Sequence, residues 1–585
     1  MESLNIHKIL FRCPETFKWK HFQNPVEVLV ARNIGRVCDL IYTVEKLVNE
    51  RNLYAVGFVS YEASSAFNPK MITCEPSRFP LVCFALFENY KIIEQLSKPL
   101  STEKSTWKTS LDLEKYIKNI VEIKNRIELG DIYQLNYTTQ FKTMLGRPED
   151  FFNSFVSDEP YACFIDTNEF QILSASPELF FELDGEDIKT RPMKGTAPRY
   201  DSLKLDEDSR DQLLRSKKNR AENLMITDMM RNDLSKIAML GSVSVDDAFR
   251  IEKYSTVWQM TSTVKAKTCA SVLEIFNALF PCSSITGAPK LKSMEYIKHF
   301  EKRPRDIYTG AIGIIQPNRK AVFSVGIRTA LRNTISRETA YGSGGGIVWD
   351  SKPIPEFKEL GYKTRILGKV ETDEVFYLFE TMRLHHSVGI LMLARHLERM
   401  ERAANYFGIN YSEKIVLAFI ENELKSQKVN FDVRLRLTLN IFGKFSLQCV
   451  KIDEPFESSQ LVQFVSTAVD RNDIFLYHKT NFRGVYDRAQ SEVPPLVEPI
   501  LFNHESEVTE TNISNIVFEE NGDLFTPPVE CGLLSGIMRT ELLHNNVIKE
   551  RAITKNDLLK VDKVYLINAL RGWRNARFLK RSVTE

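Results

Sequence analysis

Six short segments in the first 360 residues combine carboxylates, glycines and basic residues that could bind an anionic ring compound together with a divalent metal. They are SASPE (174–178), RPMKGTAPR (191–199), AENLMITDMMRNDL (221–234), PCSSITGAPK (281–290), VGIRT (325–329) and GSGGGIVWDSKPIPEFKE (342–359). Glu356 and Glu359 are three positions apart, which places both on one face of a helix. Carboxylates and water are the ligands that Mg²⁺ prefers. With Glu222, these residues predict a magnesium site, although a solvated helix face also explains each carboxylate taken alone.

Two further features could hold a carboxylate of the same compound. Gly344, Gly345 and Gly346 would let the backbone approach a ligand closely, and their N–H groups could bind an anion. A turn at a sheet edge explains these glycines equally well. Arg328 lies in the apolar run VFSVGIRTAL, which predicts a strand, and an arginine inside a strand needs a partner. A substrate carboxylate and a structural salt bridge are equal alternatives for that partner.

Lys194 is a candidate nucleophile because of its place in the RPMKGTAPR segment. It lies between Pro192, which restricts the backbone, and Gly195, which permits a turn. If the side chain is buried beside a metal, the pKa of its amine falls and the amine can attack carbon. Exposure at the surface is the more frequent state of an arbitrary lysine.

Four segments in the C-terminal part of the chain could supply the groups that pyridoxal phosphate requires. They are HLERMERAANYFGI (396–409), HKTNFRGVYDRA (478–489), SEVTETNISNIVF (506–518) and TPPVECGLLSGIMRTELL (526–543). Lys479 could form the Schiff base, Glu510 could face the pyridine nitrogen, and Arg399 adds a cation. The turn at Gly536, Ile537 and Met538 leads into a helix, whose N-terminus suits a phosphate. Each feature alone also fits a surface lysine, a charged turn residue or an ordinary helix start.

Hydrophobic periodicity indicates the elements that position these residues. Short apolar runs in residues 1–110 predict strands, as do ACFIDT, FQILSAS, AIGIIQP, AVFSVGIRTAL and AYGSGGGIVW. Apolar residues recur at helical spacing in 113–129, in 221–238 and from Leu393 to Phe407, where Gly408 ends the helix. The pattern changes near 370, so we expect one domain over residues 1–368 and another over 369–585.

The composition excludes several classes of protein. The 78 basic and 76 acidic residues leave a net charge of +2, which gives no electrostatic support for a nucleic-acid or membrane partner. The N-terminal segment lacks the apolar run of a secretory signal, and no stretch approaches the roughly 20 apolar residues that span a bilayer. The nine cysteines are scattered without a C-x-x-C pair, so we expect no disulfide framework, no zinc site and a cytoplasmic location.

In this order, the six N-terminal segments closely resemble the chorismate-utilising enzymes. That family includes anthranilate synthase, aminodeoxychorismate synthase component I, isochorismate synthase and salicylate synthase. The resemblance covers about residues 50–365. It implies an α+β fold, with an anthranilate-synthase-like two-layer β-sandwich and peripheral helices, and it implies that chorismate and Mg²⁺ are bound.

Three positions favour the aminodeoxychorismate type within that family. Lys194 fills the P-[IM]-K-G-T position at which anthranilate synthases have alanine. Gln134, in GDIYQLNYT, matches the position at which isochorismate and salicylate synthases have a water-activating lysine. PCSSITGAPK carries serine where the anthranilate type has histidine. One departure is Asn219, where some relatives have a glutamate; it affects only a residue expected behind the metal ligands.

The resemblance implies a role for each N-terminal residue. Lys194 would displace the allylic hydroxyl of chorismate, with Glu178 as the general acid, and ammonia would then displace Lys194 to give 4-amino-4-deoxychorismate. Glu222 and Glu359 would bind Mg²⁺, with Glu356 as a ligand or directly behind one. The implied substrate-binding residues are Tyr308, Arg328, Thr286, Gly344, Gly345 and Gly346. The chain has no G-x-C-x-G segment of a glutaminase, so a separate glutamine amidotransferase is expected to supply the ammonia.

The C-terminal segments resemble the fold-type IV pyridoxal-phosphate enzymes over about residues 374–575. Branched-chain aminotransferases, D-amino-acid aminotransferase and aminodeoxychorismate lyase belong to that family. The resemblance implies an α+β domain and these cofactor-binding residues: Lys479, Glu510, Arg399, Ile537 and Met538. Thr381, in FETMR, matches an active-site threonine of the lyases. A homodimer is also expected, because dimers are usual in this family.

The fusion of the two domains favours a lyase activity for the second domain, because a lyase would consume the product of the first domain. The expected products are 4-aminobenzoate and pyruvate, which would feed folate synthesis. One alternative is an anthranilate or isochorismate synthase fused to a branched-chain or D-amino-acid aminotransferase. Another is an inactive scaffold that binds the amidotransferase, which is disfavoured because every expected catalytic position is filled.

Overall fold

The chain divides into two compact units in the computed structural model. The first comprises Met1–Leu111, Asn119–Ser351 and Glu356–Thr372, and the second comprises Asp112–Lys118, Lys352–Pro355 and Asp373–Glu585. The residues that the structure describes are 4–97, 106–109, 112–156, 159–199, 203–254, 257–364, 367, 369–371, 376–425, 431–452 and 457–579. Gly368, the predicted last residue of the first domain, lies outside the described residues.

Strands dominate the first 371 residues. The strands are β1 Ile6–Arg12, β2 Trp19–Phe22, β3 Glu27–Ala31, β4 Tyr54–Val59, β5 Val82–Phe87, β6 Lys91–Ile93, β7 Thr106–Thr109, β8 Gln134–Met144, β9 Tyr161–Thr167, β10 Phe170–Ser176, β11 Leu179–Asp184, β12 Asp187–Arg191, β13 Met193–Pro198, β14 Ser244–Lys253, β15 Val257–Lys267, β16 Gly287–Ala288, β17 Ala311–Gln316, β18 Lys320–Val325, β19 Thr329–Asn333, β20 Glu338–Ile347 and β21 Lys369–Glu371. The helices are α1 Val37–Arg51, α2 Ser64–Phe67, α3 Leu113–Glu128, α4 Pro148–Phe155, α5 Leu203–Arg215, α6 Lys217–Ser235, α7 Val272–Leu279, α8 Lys290–Glu301 and α9 Pro353–Lys363.

These strands form two large, mainly antiparallel sheets. One has the order β21-β7-β8-β20-β19-β10-β9-β1-β2-β6, and the other has the order β13-β15-β12-β11-β18-β17-β4-β5-β3. Ile9 and Ile165 of the first sheet share a buried core with Phe58 and Ile312 of the second. A second core joins the latter sheet to α1, α6 and α7. The predicted two-layer sandwich with peripheral helices is therefore confirmed.

Two predicted elements of this unit were wrong in detail. Helix α1 occupies part of the region for which only strands were predicted. Its buried residues Val37, Ile41, Val44 and Val48 recur at helical spacing, and burial of this stripe outweighs the strand preference of β-branched side chains. Helix α6 begins at Lys217, so Glu222 lies in the second turn and does not open the helix.

The predicted strand VFSVGIRTAL is also wrong, because the chain leaves one sheet and enters the other within it. Strand β18 ends at Val325 and β19 begins at Thr329. Arg328 lies at the break with a positive φ of 47°. A Cβ atom at Gly326 would lie 2.2 Å from the Ile307 carbonyl oxygen, so the crossing needs a glycine there. Arg328 is therefore a residue at a strand junction and not within a strand.

The C-terminal unit is a smaller α+β structure. Its strands are β22 Tyr377–His385, β23 Gly389–Ile390, β24 Val433–Asn440, β25 Phe445–Lys451, β26 Ser459–Phe464, β27 Glu498–Phe502, β28 Val508–Thr511, β29 Asn515–Glu520, β30 Asp523–Thr526, β31 Lys549–Glu550, β32 Lys563–Asn568 and β33 Gly572–Phe578. Its helices are α10 Leu393–Phe407, α11 Glu413–Lys425, α12 Gly484–Ser491, α13 Ile537–His544 and α14 Lys555–Leu558. The described strands form sheets of order β23-β22-β24-β25 and β28-β27-β26-β33-β32-β29-β30-β31.

The elements of this unit follow the sequence pattern closely. Helix α10 ends at Gly408, whose φ of 75° is left-handed, as the C-terminal stop predicts. On β24, Val433, Leu435 and Leu437 are buried, while the alternate side chains face the other side of the sheet. None of the helices that the structure describes is long and apolar enough to cross a membrane.

Candidate active sites

Lys194 lies on β13, half-buried, with its amine beside the glycine strand β20. A Cβ atom at Gly346 would lie 3.2 Å from the Lys194 Nζ and 2.0 Å from the Gln134 Nε2. Desolvation lowers the pKa of Lys194; Glu222 opposes that effect, and Lys363 adds to it. A lysine with a lowered pKa has a larger fraction of free amine, which is the nucleophilic form.

Glu178 is a buried acid whose charge acts on the Lys194 amine. It follows β10 and is 2% exposed. Burial raises the pKa of its carboxyl to about 7, although a hydrogen bond from Ser284 and the charge of Lys194 oppose the rise. The Ser284 Oγ donates to the Glu178 Oε1 over 2.7 Å. A carboxyl that titrates near neutral pH can act as a general acid.

The three predicted metal ligands lie on two helices, Glu222 on α6 and Glu356 and Glu359 on α9. Burial and the charge of Glu359 raise the pKa of Glu356 to about 7, against a 2.6 Å hydrogen bond from the Ser351 Oγ. Desolvation likewise raises the pKa of Glu222, while Lys194 opposes the rise. A nearby cation would therefore stabilise the charged forms of Glu222 and Glu356, whereas Lys363 already lowers the pKa of Glu359.

Two lysines supply positive charge to these carboxylates. The Lys363 Nζ lies 2.7 Å from the Glu359 carboxylate and donates to the Gly344 carbonyl over 2.8 Å. The Lys218 Nζ lies 3.8 Å from the Glu222 carboxylate. The three glutamates do not form a set whose ligand atoms all lie within 4.8 Å; among the described residues, His385, His386 and Asp432 alone form such a set. The donor chemistry of the glutamates suits a hard cation such as Mg²⁺.

The triple glycine is a segment of strand interior and not a turn at a sheet edge. Gly344, Gly345 and Gly346 lie on β20 and pair in register with β8. A Cβ atom at Gly344 would lie 2.4 Å from the Tyr137 carbonyl oxygen, and one at Gly345 would lie 3.3 Å from the Glu356 carboxylate. The glycines therefore leave open the space between β20 and the polar side chains.

Three predicted substrate-binding residues have partners within the protein. Arg328 lies 3.6 Å from the Glu159 carboxylate, so the salt-bridge alternative for this arginine is present. The Thr286 Oγ1 donates to the Cys282 carbonyl over 3.2 Å. The Tyr308 ring packs on Gly342, where a Cβ atom would lie 2.3 Å from the ring. The charges that act on Lys194 therefore include the glutamates, whereas these three residues contact other parts of the protein.

In the C-terminal unit, Lys479 lies in a cavity of about 490 Å³. Its Nζ lies 5.0 Å from the centroid of the Phe379 ring. Desolvation and the charge of Arg399 lower the pKa of Lys479 to about 7, while Glu380 opposes the change. Thr381 lines the same cavity.

Glu510 is buried, lines this cavity and accepts hydrogen bonds from three donors. Its carboxylate accepts hydrogen bonds from the Tyr486 hydroxyl at 2.7 Å, the Leu534 N–H at 3.0 Å and the Asn515 Nδ2 at 3.1 Å. Burial nevertheless raises the pKa of Glu510 to about 7. A cationic ring nitrogen beside it would stabilise the charged carboxylate.

Arg399 is held by Glu380, a residue that sequence reasoning missed. The Arg399 Nε and Nη2 donate to the two Glu380 oxygens at 2.8 and 2.6 Å, and the His396 Nδ1 lies 2.7 Å from the same carboxylate. Burial opposes ionisation, but Arg399 and His396 together lower the pKa of Glu380 to about 2. A glutamate inside the apolar strand run FYLFETM was the available signal, since a buried charge needs a partner.

The predicted phosphate site lies where α13 begins. Ile537 is its first residue, Met538 follows, and Gly536 is the N-cap. A Cβ atom at Gly536 would lie 1.8 Å from the Asn515 Oδ1, so a side chain there would displace the Asn515 amide. The His396 Nε2 and Asn512 Oδ1 are buried, line the cavity and have no hydrogen-bond partner among the described residues. Unpartnered buried polar atoms in the lining of this cavity fit a bound polar ligand.

Comparison with known proteins identifies both units. Residues 7–368 match the family described as chorismate binding enzyme, and residues 377–577 match the family described as amino-transferase class IV. The chain belongs to the chorismate binding enzyme family, and its C-terminal residues are similar to class IV aminotransferases.

Individual relatives agree with this assignment. Aminodeoxychorismate synthase component 1 of Klebsiella aerogenes is 38% identical over 275 residues, which are 46% of this chain and 60% of the relative. An anthranilate synthase component 1 of Haloarcula marismortui is 34% identical over 274 residues, 46% of this chain and 56% of the relative. The chain therefore matches less than two thirds of the length of either. Anthranilate synthase component I from Streptococcus pneumoniae shares the fold, with a TM-score of 0.53 and 23% identity over 63% of this chain and 93% of its own.

Proposed function

We propose that the chain makes 4-aminobenzoate from chorismate in two reactions, one in each unit. The first reaction aminates chorismate to 4-amino-4-deoxychorismate, and the second eliminates pyruvate from that product. The observation that carries the proposal is the Lys194 amine with a lowered pKa, whose electrostatic neighbours include Glu178, Glu222 and Glu359. An alanine at position 194 could not supply a nucleophile.

In the first reaction, the Lys194 Nζ attacks the chorismate ring and displaces the allylic hydroxyl. Glu178, whose carboxyl is partly protonated near neutral pH, gives its proton to the departing hydroxyl, which leaves as water. Ammonia then displaces Lys194, whose protonated secondary nitrogen leaves as the free amine while the new nitrogen stays on the ring as an ammonium group. Mg²⁺, held by Glu222, Glu359 and Glu356, would neutralise a carboxylate of chorismate.

Substrate contacts in the first reaction fall to the glycine strand and its neighbours. Gly345 and Gly346 face Glu356 and Lys194, so a substrate between these side chains would lie directly against the backbone of β20. We also propose that Tyr308, Thr286 and Arg328 contact the substrate. The support for them is weaker, because each already has a protein partner.

In the second reaction, pyridoxal phosphate would supply an electron sink for the substrate amine. Glu510 would hold the charge of the cofactor's ring nitrogen, and Arg399 with the N–H groups of Ile537 and Met538 would hold its phosphate. Lys479 would carry the cofactor, then take a proton from the substrate ring and return one as pyruvate leaves. Thr381 lines the same cavity and would orient the departing group. The ring becomes aromatic, which drives the elimination.

Ammonia would come from a separate glutamine amidotransferase, because the chain has no glutaminase nucleophile of its own. A cytoplasmic location fits a chain whose nine cysteines are scattered singly and include no C-x-x-C pair. A homodimer formed by the second unit is part of the proposal on family grounds.

Product analysis tests the first half against its rival. The purified chain, loaded with pyridoxal phosphate, is given chorismate, Mg²⁺ and ammonium, and the aromatic product is identified by chromatography and mass. We expect 4-aminobenzoate. Anthranilate or isochorismate as the product would refute the proposal in favour of a synthase fused to an aminotransferase.

Lys479→Ala tests the second half. We expect 4-amino-4-deoxychorismate to accumulate, because the cofactor has lost its lysine, and the visible absorption of the bound cofactor to change. Lys414→Ala, at an exposed lysine of α11, is the matched control and should leave both unchanged. Formation of 4-aminobenzoate at the normal rate by Lys479→Ala would show that the second unit is misassigned.

A further inference from the structure

The cavity around Lys479 holds more positive charge than the cofactor would use. Arg399 is neutralised by Glu380, and Lys479 would be consumed in the linkage to the cofactor. Four other arginines line the cavity: Arg434, Arg436, Arg483 and Arg571. Among the described residues of that lining, Glu510 is the only carboxylate. Such a surplus predicts an anionic ligand beyond the cofactor.

Two of these arginines project from one face of β24. Arg434 and Arg436 alternate with the buried residues Val433, Leu435 and Leu437, so their side chains leave the sheet on the same side. Residues two apart on a strand are about 7 Å apart. The Arg436 guanidinium lies 4.1 Å from the centroid of the Phe379 ring, against which the Lys479 amine also lies.

Arg434 is the outer member of this pair. Arg434 is exposed, whereas Arg436 is half-buried, which places Arg434 at the mouth of the cavity. Its guanidinium has no hydrogen-bond or ion-pair partner among the residues that the structure describes. An arginine with five donors and no acceptor is available to a carboxylate at that position.

Arg571 brings a second cation to the same place from the turn between β32 and β33. The Arg571 guanidinium lies 3.8 Å from the Glu498 carboxylate, which the Arg574 guanidinium approaches more closely at 2.7 Å. Burial lowers the pKa of Arg571, and the positive charges of Arg574 and Arg434 lower it further. A bound anion would relieve this repulsion.

We propose that Arg434 and Arg571 form a carboxylate site at the mouth of the cavity, which selects cyclic amines with two carboxylates over amino acids with one. The inference rests on the proposed lyase reaction, whose substrate carries a ring carboxylate and an enolpyruvyl carboxylate. Arg436, beside the amine, would meet one carboxylate, and Arg434 with Arg571 would meet the other. An amino acid with a single carboxylate leaves the outer site unpaired, so its binding gains nothing there.

Two probes that differ by one carboxylate test this site. 3-(Carboxymethoxy)benzoate has a ring carboxylate and an ether-linked carboxylate, whereas 3-methoxybenzoate has only the first. Each is titrated into the full chain loaded with pyridoxal phosphate, and binding is followed by the visible absorption of the cofactor, which reports on the second unit alone. We expect the dicarboxylate to bind about tenfold more tightly, as one charged hydrogen-bonded contact provides.

Arg434→Gln should abolish this preference, and Arg434→Lys should restore part of it. Arg402→Gln is the matched control, because Arg402 is exposed on α10 and does not line the cavity. For 4-amino-4-deoxychorismate, Arg434→Gln should raise KM about tenfold with little change in kcat, since the contact lies away from the reacting atoms.

Equal binding of the two probes by the unmodified chain would overturn the inference, and so would a preference that survives Arg434→Gln. If the unmodified chain forms no 4-aminobenzoate from added 4-amino-4-deoxychorismate, the lyase proposal fails. If it still binds the dicarboxylate probe more tightly than the monocarboxylate probe, and this difference depends on Arg434, the dicarboxylate site stands. If 4-aminobenzoate forms and its KM does not respond to Arg434→Gln, the lyase proposal stands and the outer site is wrong.

Discussion

Replacing Ser284 by alanine should change the pH dependence of amination in a defined direction. The Ser284 Oγ donates a 2.7 Å hydrogen bond to the buried carboxylate of Glu178. A hydrogen bond to the charged form of an acid lowers its pKa, so this contact holds the pKa of Glu178 below the value that burial alone would give. Ser284→Ala removes that restraint, and the pKa of Glu178 should rise above 7.

The size of the change follows from the strength of one such bond. A hydrogen bond to a charged group contributes about 1.5–3 kcal/mol, and about 1.4 kcal/mol corresponds to one pH unit. The protonated acid also keeps some interaction with the serine, so the lower end applies. We expect the pKa of Glu178 to rise by about one pH unit.

The sign of the effect on rate follows from the role of Glu178. As a general acid it must be protonated, so the rate of amination falls as the pH rises through its pKa. In Ser284→Ala the acid stays protonated to higher pH, and the alkaline fall should move upward by the same amount. The assay is chorismate consumption across neutral and alkaline pH, at saturating Mg²⁺ and a constant concentration of free ammonia.

Ser283→Ala is a closely matched control. The two serines are adjacent in one turn and equally buried, but the Ser283 Oγ donates to Asp233 at 3.0 Å and not to Glu178. Ser283→Ala should lower the stability of the fold and leave unchanged the pH at which the rate of amination falls. The assignment of Glu178 as the acid is refuted if Ser284→Ala leaves the profile unmoved, or if both variants move it equally.

Three other predictions concern the same unit. Lys194→Ala should abolish amination, with Lys204→Ala at an exposed position of α5 as the control; full activity would exclude a covalent route. Glu359→Gln should raise the Mg²⁺ concentration for half-maximal rate by about tenfold or more, and an unchanged metal profile would remove Glu359 from the ligands. Gly346→Ala should slow amination but not the lyase reaction, because its Cβ would lie 2.0 Å from the Gln134 Nε2 and 3.2 Å from the Lys194 Nζ, so that both side chains must move. Gly361→Ala, with nothing within 4 Å, should change neither rate, and equal losses in the two glycine variants would contradict the close approach at Gly346.

The sequence by itself determined the types of group in each site and the class of fold that holds them. Lys194, Glu178 and Lys479 stand in short segments whose order along the chain is specific to a family. The spacing of Glu356 and Glu359 placed both on one helix, as the structure has them. Local periodicity also gave α10 and its glycine stop, because a helix and its cap depend on neighbouring residues alone.

Only the tertiary structure decided which partner each of these groups has. Glu159, which pairs with Arg328, and Glu380, which pairs with Arg399, had no sequence pattern that connects them to those arginines. Glu178 receives its hydrogen bond from a serine 106 positions away. A pKa depends on burial and on such distant partners, which arise when strands from remote parts of the chain are brought side by side. The sequence therefore named the candidate acid and the candidate nucleophile, and burial in the folded protein raises the pKa of Glu178 and lowers that of Lys194.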